Sequence, residues 1–251
     1  MKKISIITLL FLMVASLFNT IIAQDEDGLK PELGCDIVSS YVWRGLPVYA
    51  ALGEQNVLAP SLQPAFSLNY KGFELGTWGS IDFTGTYKEV DLFLSYSLKG
   101  FSVAMTDYYW ASDWITDNYF EYQADSTSHC IEASLGYKGE EIPFSVLVAT
   151  MLYGADMQFE DSEKHAYSTY IELGYSFAIK EYNLDLFFGM TPTDGMYGDG
   201  YGGHDGFAIV NTGVTGSKAI KITENFSLPV KASLIANPQA RKLFLVFALS
   251  I

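Results

Sequence analysis

Segments of about ten residues in which apolar and polar side chains alternate recur through the chain, and they constrain its fold more than any other feature. A period of two places every second side chain on one face of an extended strand. Over residues 61–70, Leu62, Pro64, Phe66, Leu68 and Tyr70 share one face, and Ser61, Gln63, Ala65, Ser67 and Asn69 share the other. Lys71-Gly72 turns the chain into Phe73, Leu75, Thr77, Gly79, Ile81 and Phe83, set against Glu74, Gly76, Trp78, Ser80 and Asp82. The two runs make a hairpin. A second hairpin joins residues 89–98 through Lys99-Gly100 to residues 101–106. The same alternation marks 131–137, 144–152, 170–177, 184–191, 226–234 and 243–251. An opening strand from Leu33 to Arg44 and a weaker one from Phe207 to Thr215 bring the expected number to twelve.

Short turns near 71–72, 99–100, 138–143 and 178–183 alternate with long connections near 45–59, 111–128, 154–165 and 192–206. An even number of strands with short turns on one rim and long loops on the other predicts an all-β fold, a transmembrane antiparallel β-barrel of about 12 strands. The connections near 84–87 and 238–241 are short although they fall on the long-loop rim, and 216–225 is long for a short-rim turn. A soluble sandwich or lipocalin-like barrel shares the alternation. Against it stand strands of membrane-spanning length, Gly and Ser on the polar face, and aromatics at strand ends. Tyr70, Phe73, Tyr96, Phe101, Tyr137, Phe144, Tyr175 and Phe177 flank the short turns, where they would form an interfacial girdle.

The start of the chain gives the compartment. Met1-Lys2-Lys3, an apolar stretch from Ile4 to Ile22 and Ala23 before Gln24-Asp25-Glu26-Asp27 have the order of a secretory signal. The expected organisation is a signal peptide over 1–23, a short periplasmic segment over 24–31 and an outer-membrane barrel over 32–251, with the N-terminus in the periplasm. A net charge of −14 argues against nucleic-acid binding, which needs clustered Lys and Arg. The two cysteines are too few for a disulfide scaffold or a structural zinc site. Cys35 and Cys130 fall near opposite rims, so both are expected as free thiols.

Ser39-Ser40-Tyr41-Val42-Trp43-Arg44-Gly45 resembles the opening motif of the outer-membrane porin family labelled TorF, especially its Bacteroidetes members. In the same order come Leu75-Gly76-Thr77-Trp78-Gly79-Ser80, Thr106-Asp107-Tyr108-Tyr109, Ile171-Glu172-Leu173-Gly174-Tyr175-Ser176, and Ser227-Leu228-Pro229-Val230 with Asn237-Pro238. The resemblance spans nearly the whole mature chain and implies a small barrel in the outer membrane of a Gram-negative bacterium. Many members have Asp before the Tyr where this chain has Ser40, which removes a charge partner for Arg44.

Strand parity sends Asp36, Glu74, Asp82, Asp91, Glu132, Glu172 and Asp185 into the lumen against Arg44 and Lys231. Carboxylates around a water-filled pore favour cations. The function expected is passive diffusion of small polar or cationic solutes, with these nine residues setting selectivity. The alternative is a closed structural or adhesive barrel whose loops bind a partner, with the same groups forming a polar plug. Twelve strands lie between the filled eight-stranded and the open sixteen-stranded case, so width leaves both open. Outer-membrane lipid, lipopolysaccharide and small solutes are the expected partners, and oligomeric state is left open.

The long loops carry Glu54, Asp113, Asp117, Glu121, Asp125, Asp156, Glu160, Asp161, Glu163, Asp194, Asp199 and Asp205, a solvated rim or a weak site for divalent cations. The Asp194 to Gly206 loop lacks the regular Asp-x-Asp spacing and closing Glu of a calcium loop, and no metal site or cofactor is expected. No catalytic residues are expected either: His129, His165 and His204 lack a spaced nucleophile and orienting group. Tyr108, Tyr109, Trp110, Trp114, Tyr119, Phe120 and Tyr122 would stack on sugar rings or belong to an outer girdle folding over the mouth.

Overall fold

The computed structural model describes residues 28–52, 55–110, 118–124, 126–158, 164–197 and 206–251. The expected signal segment lies outside them, as do Glu54, Asp113, Trp114, Asp117, Asp125, Glu160, Asp161, Glu163, Asp199, His204 and Asp205. In chain order the strands are β1 (Lys30–Val38), β2 (Val42–Trp43), β3 (Leu46–Pro47), β4 (Ala50–Leu52), β5 (Gln55–Val57), β6 (Ser61–Tyr70), β7 (Phe73–Asp82) and β8 (Lys88–Leu98). They continue as β9 (Phe101–Tyr109), β10 (His129–Lys138), β11 (Phe144–Gly154), β12 (Thr169–Ile179), β13 (Tyr182–Thr191), β14 (Ala208–Lys221), β15 (Ser227–Asn237) and β16 (Lys242–Ser250).

β1 and β6–β16 close into one antiparallel barrel of twelve strands. Closure pairs Asp36 with Ser250 and Val38 with Ala248, while the other edge of β1 runs from Lys30 opposite Asn69 to Val38 opposite Ser61. β2–β3 and β4–β5 are separate two-stranded ribbons. Lys71-Gly72 and Lys99-Gly100 turn with positive φ at both residues, 48° and 88°, then 50° and 80°. That is the turn geometry whose twist matches a tight hairpin, and Gly supplies the second position without a steric penalty.

The distribution of side chains excludes a soluble sandwich. Leu94, Leu135, Leu243, Leu245 and Phe247 face outward and are 53–68% exposed, whereas Gln63, Ser67, Ser80, Asp91 and Glu132 face inward and are 2–8% exposed. An apolar exterior over a polar interior matches a hydrocarbon surround. The aromatics beside the short turns lie on this outer face and pair across strands: Phe73 with Tyr96 at 4.5 Å, and Phe101 with Tyr137 at 4.8 Å between ring centroids. Phe144 stands opposite Tyr175.

Three expectations are corrected. β1 ends at Val38, not Arg44, because after Ser39, whose N–H still donates to the Phe247 carbonyl at 2.8 Å, the chain leaves the wall and folds into the lumen. β1 also begins at Lys30, so Lys30 and Pro31 belong to the barrel and not to a preceding segment. β14 continues to Lys221, so the apparent long connection after 215 is mostly strand, closed by a short turn in which Ile222 N–H donates to the Phe226 carbonyl at 3.0 Å.

The long-loop half of the lumen is packed like a protein core. Leu46, Tyr170, Tyr197, Ala208 and Val210 form one buried cluster, and Tyr108, Cys130 and Met151 form another, with Trp43 and Met196 touching both. The short-turn half is lined instead by small groups, among them Ser67, Ser95, Ser102, Ser134, Ser145 and Ser176.

Candidate functional site

The inward segment is a hairpin whose turn is Arg44-Gly45, with φ of 49° and 79°. A Cβ on Gly45 would stand 1.9 Å from the carbonyl oxygen of Val210, so only glycine lets the turn press against β14. Asn237, fully buried, donates from Nδ2 to the Gly45 carbonyl at 3.1 Å and ties the turn to β15. Trp43 fills the space beside it, its ring centroid 5.5 Å from Tyr108, 5.6 Å from Trp110 and 5.5 Å from Tyr197.

The turn delivers Arg44 to Glu132 on β10. Nη1 donates to Oε2 at 2.5 Å and Nη2 to Oε1 at 2.9 Å, with the side chains 12% and 3% exposed. Tyr108 donates to Oε1 at 3.1 Å, and Arg44 also donates to the Tyr197 hydroxyl at 2.5 Å. The guanidinium carbon lies 4.7 Å from the Trp43 ring and 4.8 Å from that of Tyr170. A planar fork between aromatic faces satisfies both needs of a buried guanidinium, which a lysine would not. Burial opposes the charge on Arg44, but Tyr197 and Glu132 more than offset it and hold its pKa above the ordinary arginine range. Next to this group Tyr170 donates to Glu172, and Asn211 donates to Tyr170 at 2.8 Å and to Glu172 at 3.2 Å.

Above the hairpin, toward the long loops, lies a chamber of about 310 Å³ whose walls include Tyr41, Trp43, Tyr87, Trp110, Glu89 and Asp156. Glu89 is 3% exposed and accepts from Trp110 Nε1 at 2.5 Å and from the Tyr87 hydroxyl at 2.8 Å. Asp156, in the loop after β11, accepts from Ser168 N–H at 2.8 Å and Ser168 Oγ at 2.5 Å. Its burial raises its pKa, partly opposed by Ser168 and by His165, whose Nε2 is 3.6 Å away.

The expected lumen residues do not form a free acidic ring. Glu132, Glu172 and Asp91 stand in the long-loop half, and the first two are neutralised or hydrogen-bonded as above. Asp91 is 5% exposed beside Glu89, and its buried Oδ1 has no hydrogen-bond partner among the described residues. Asp82 is a turn cap and not a pore group: it accepts from Thr84 N–H at 2.7 Å, and also from Tyr87 N–H and Thr84 Oγ1. Asp185 accepts from Ser176 Oγ at 2.6 Å in the short-turn half. Asp36 pairs with Lys231 at 3.6 Å near the seam, both partly solvated. Glu74, opposite Asn69 and Ser95, completes the inward set. Arg44 is inward as expected, but from the hairpin turn and not from a wall strand.

Of the loop aromatics, Tyr108 and Trp110 line the lumen, stacked with centroids 5.3 Å apart, and do not join an outer girdle. Tyr109, Tyr119 and Tyr122 gather instead around His129 on the outer side of the wall. His129 Nδ1 lies 2.7 Å from Asp107 Oδ1, and Nε2 lies 2.7 Å from the Tyr119 carbonyl. Tyr122 stacks on the ring at 4.1 Å and donates to Asp107 at 2.9 Å. The cluster fastens residues 118–124 to β9 and β10, and no serine, threonine or cysteine side chain is bonded to this imidazole among the described residues. Phe120 projects outward, 82% exposed. Among the described residues no group of three or more His, Cys, Asp or Glu is placed to hold a metal ion. Cys35 and Cys130 are both free thiols.

Glu89 is buried on the lumen side but is not one of the nine residues that the sequence singles out. Its signal was the Glu89–Asp91 pair at a spacing of two, which puts two carboxyls side by side on one face.

No protein-family model and no curated protein matches the sequence. Among solved structures the chain is similar to the Salmonella typhi OmpF in complex with daunomycin, at 10% identity and a TM-score of 0.38, over 90% of this chain and 98% of that one.

Proposed function

We propose that this chain is an outer-membrane β-barrel of a Gram-negative bacterium, of the TorF-like kind, passing small polar or cationic solutes through a lumen gated by the β2–β3 hairpin. The apolar outer belt would meet lipid and lipopolysaccharide, and no chemical step is assigned to the chain. The reading rests on one observation: the long-loop half of the lumen is closed by a hairpin held through the Arg44–Glu132 pair, while the short-turn half is lined with small polar groups and carboxylates. A pore so built excludes anions by charge and large solutes by the plug.

The packing of Leu46, Tyr170, Tyr197 and Val210 favours a second reading, a permanently closed barrel that acts through its loops. Planar-bilayer recording separates the two. The channel reading expects a small conductance with a reversal potential toward the cation equilibrium, enlarged in Arg44→Ala. A reversal potential favouring chloride removes the cation preference. Silence in both wild type and Arg44→Ala supports the closed barrel.

A further inference from the structure

The chamber above the hairpin presents an unusual set of groups. Two aromatic pairs form its walls, Tyr41 with Tyr87 at 6.3 Å and Trp43 with Trp110 at 5.6 Å between centroids, and Glu89 and Asp156 supply the acid groups. Most of the hydrogen-bond donors among these residues are already committed, the indole N–H of Trp43 excepted. Trp110 N–H and the Tyr87 hydroxyl go to Glu89, and Ser168, behind Asp156, gives both of its donors to that residue. Just below, Asp91 adds a second buried carboxyl with a free oxygen, while Arg44 spends its donors on Glu132 and Tyr197. The chamber therefore offers π faces, acceptor oxygens and negative charge, and little to donate.

A sugar needs donors and acceptors together, and a carboxylate or phosphate needs cations. An organic ammonium ion needs neither: its charge is attracted by the ring quadrupoles and the carboxylates, and its methyl or methylene groups fill the aromatic space. About 310 Å³ is at the small end of ligand cavities, so the body of the ion must be small.

We propose that this chamber is a binding site for small organic ammonium ions, primary or quaternary, entering from the long-loop side. Trp43 and Trp110 face the charged head together with Tyr41 and Tyr87, and Glu89 is the principal counter-charge. The inference deepens the channel reading by naming a solute class, and rests on that reading for the route by which a solute arrives.

The test is titration of the full-length barrel in detergent with choline and with its neutral isostere 3,3-dimethylbutan-1-ol, read by tryptophan fluorescence and by calorimetry. Choline is expected to bind saturably, and the isostere to bind about tenfold more weakly or worse. In Glu89→Gln, checked for native barrel migration on unheated gels, choline affinity is expected to fall by about the same factor. Equal binding of the two probes by the wild type, or absence of choline binding, overturns the proposal without need of any variant. Binding without bilayer conductance sinks the channel reading and leaves the site, whereas conductance without binding does the reverse.

Discussion

Arg44 and Glu132, 88 residues apart in sequence, meet inside the barrel through two hydrogen bonds of 2.5 and 2.9 Å. The first belongs to the inward hairpin and the second to the wall, so the pair fixes the plug to the strands around it. Removing one partner of a buried pair costs about 3–5 kcal/mol, because the other charge stays buried and uncompensated. Arg44→Ala and Glu132→Ala should each lose that much in urea unfolding from lipid vesicles, and the apolar double variant Arg44→Met with Glu132→Leu should be more stable than either. A double variant as unstable as the sum of the two singles would show that the groups do not act as a pair.

Gly45 provides a second handle on the same hairpin. Its φ of 79° and the 1.9 Å approach of a Cβ to the Val210 carbonyl leave no room for a side chain. Gly45→Ala should displace the turn, break the Asn237 contact and increase bilayer conductance, with the wall strands retained by circular dichroism. An unchanged conductance and an unchanged melting temperature would contradict the close approach.

Neighbouring residues on β8 test which side meets lipid. Leu94 is 53% exposed on the outer face and Ser95 faces the lumen. Leu94→Arg should cost about 2–4 kcal/mol of stability in vesicles, as charges do near the bilayer midplane, and Ser95→Arg, on the lumen side, should cost less. The opposite order would mean that the faces are reversed.

The loop around Asp156 should loosen as pH rises. Burial favours its neutral form, so its folded pKa stands above the unfolded value, and the stability present below the unfolded pKa is lost as pH climbs through the folded one. Protease cutting within residues 155–168 should increase over that interval, and Asp156→Asn should flatten the dependence. A rate that falls with pH in the wild type would reverse the sign of the assignment.

Much of the wall was legible because a single physical rule, alternation of faces, governs it. The strand Ser61–Tyr70 and the turns Lys71-Gly72 and Lys99-Gly100 follow directly, as does the inward side of Glu132 and Glu172. The plug is not legible in this rule: Tyr41, Val42 and Trp43 are strand-forming residues that look like a continuation of β1, and the only sign of the departure along the strand is the break in alternation at Ser39-Ser40. A sign of the turn itself is present: Arg44-Gly45 is a basic residue followed by glycine, like the two turns correctly placed, and adopts the same left-handed pair of φ angles. Partnerships such as Arg44 with Glu132 or Asn237 with Gly45 join segments 88 and 192 residues apart, and no local pattern encodes them. Asp82 looked like a pore carboxylate because parity gives the direction of a side chain and not its neighbours, which here are the backbone donors of its own turn.

The plug itself is tested most directly by Cys130, a lumen-facing thiol with 0% exposure that packs with Trp43. The measurement is the alkylation rate of Cys130 by a water-soluble maleimide, followed by peptide mass in folded wild type and in Arg44→Ala. With the hairpin seated, Cys130 should be inert until denaturation, and releasing it should speed the reaction about a hundredfold or more, given the energy of the lost pair. A Cys130 that reacts in the folded wild type as fast as in Arg44→Ala would contradict a hairpin-closed lumen.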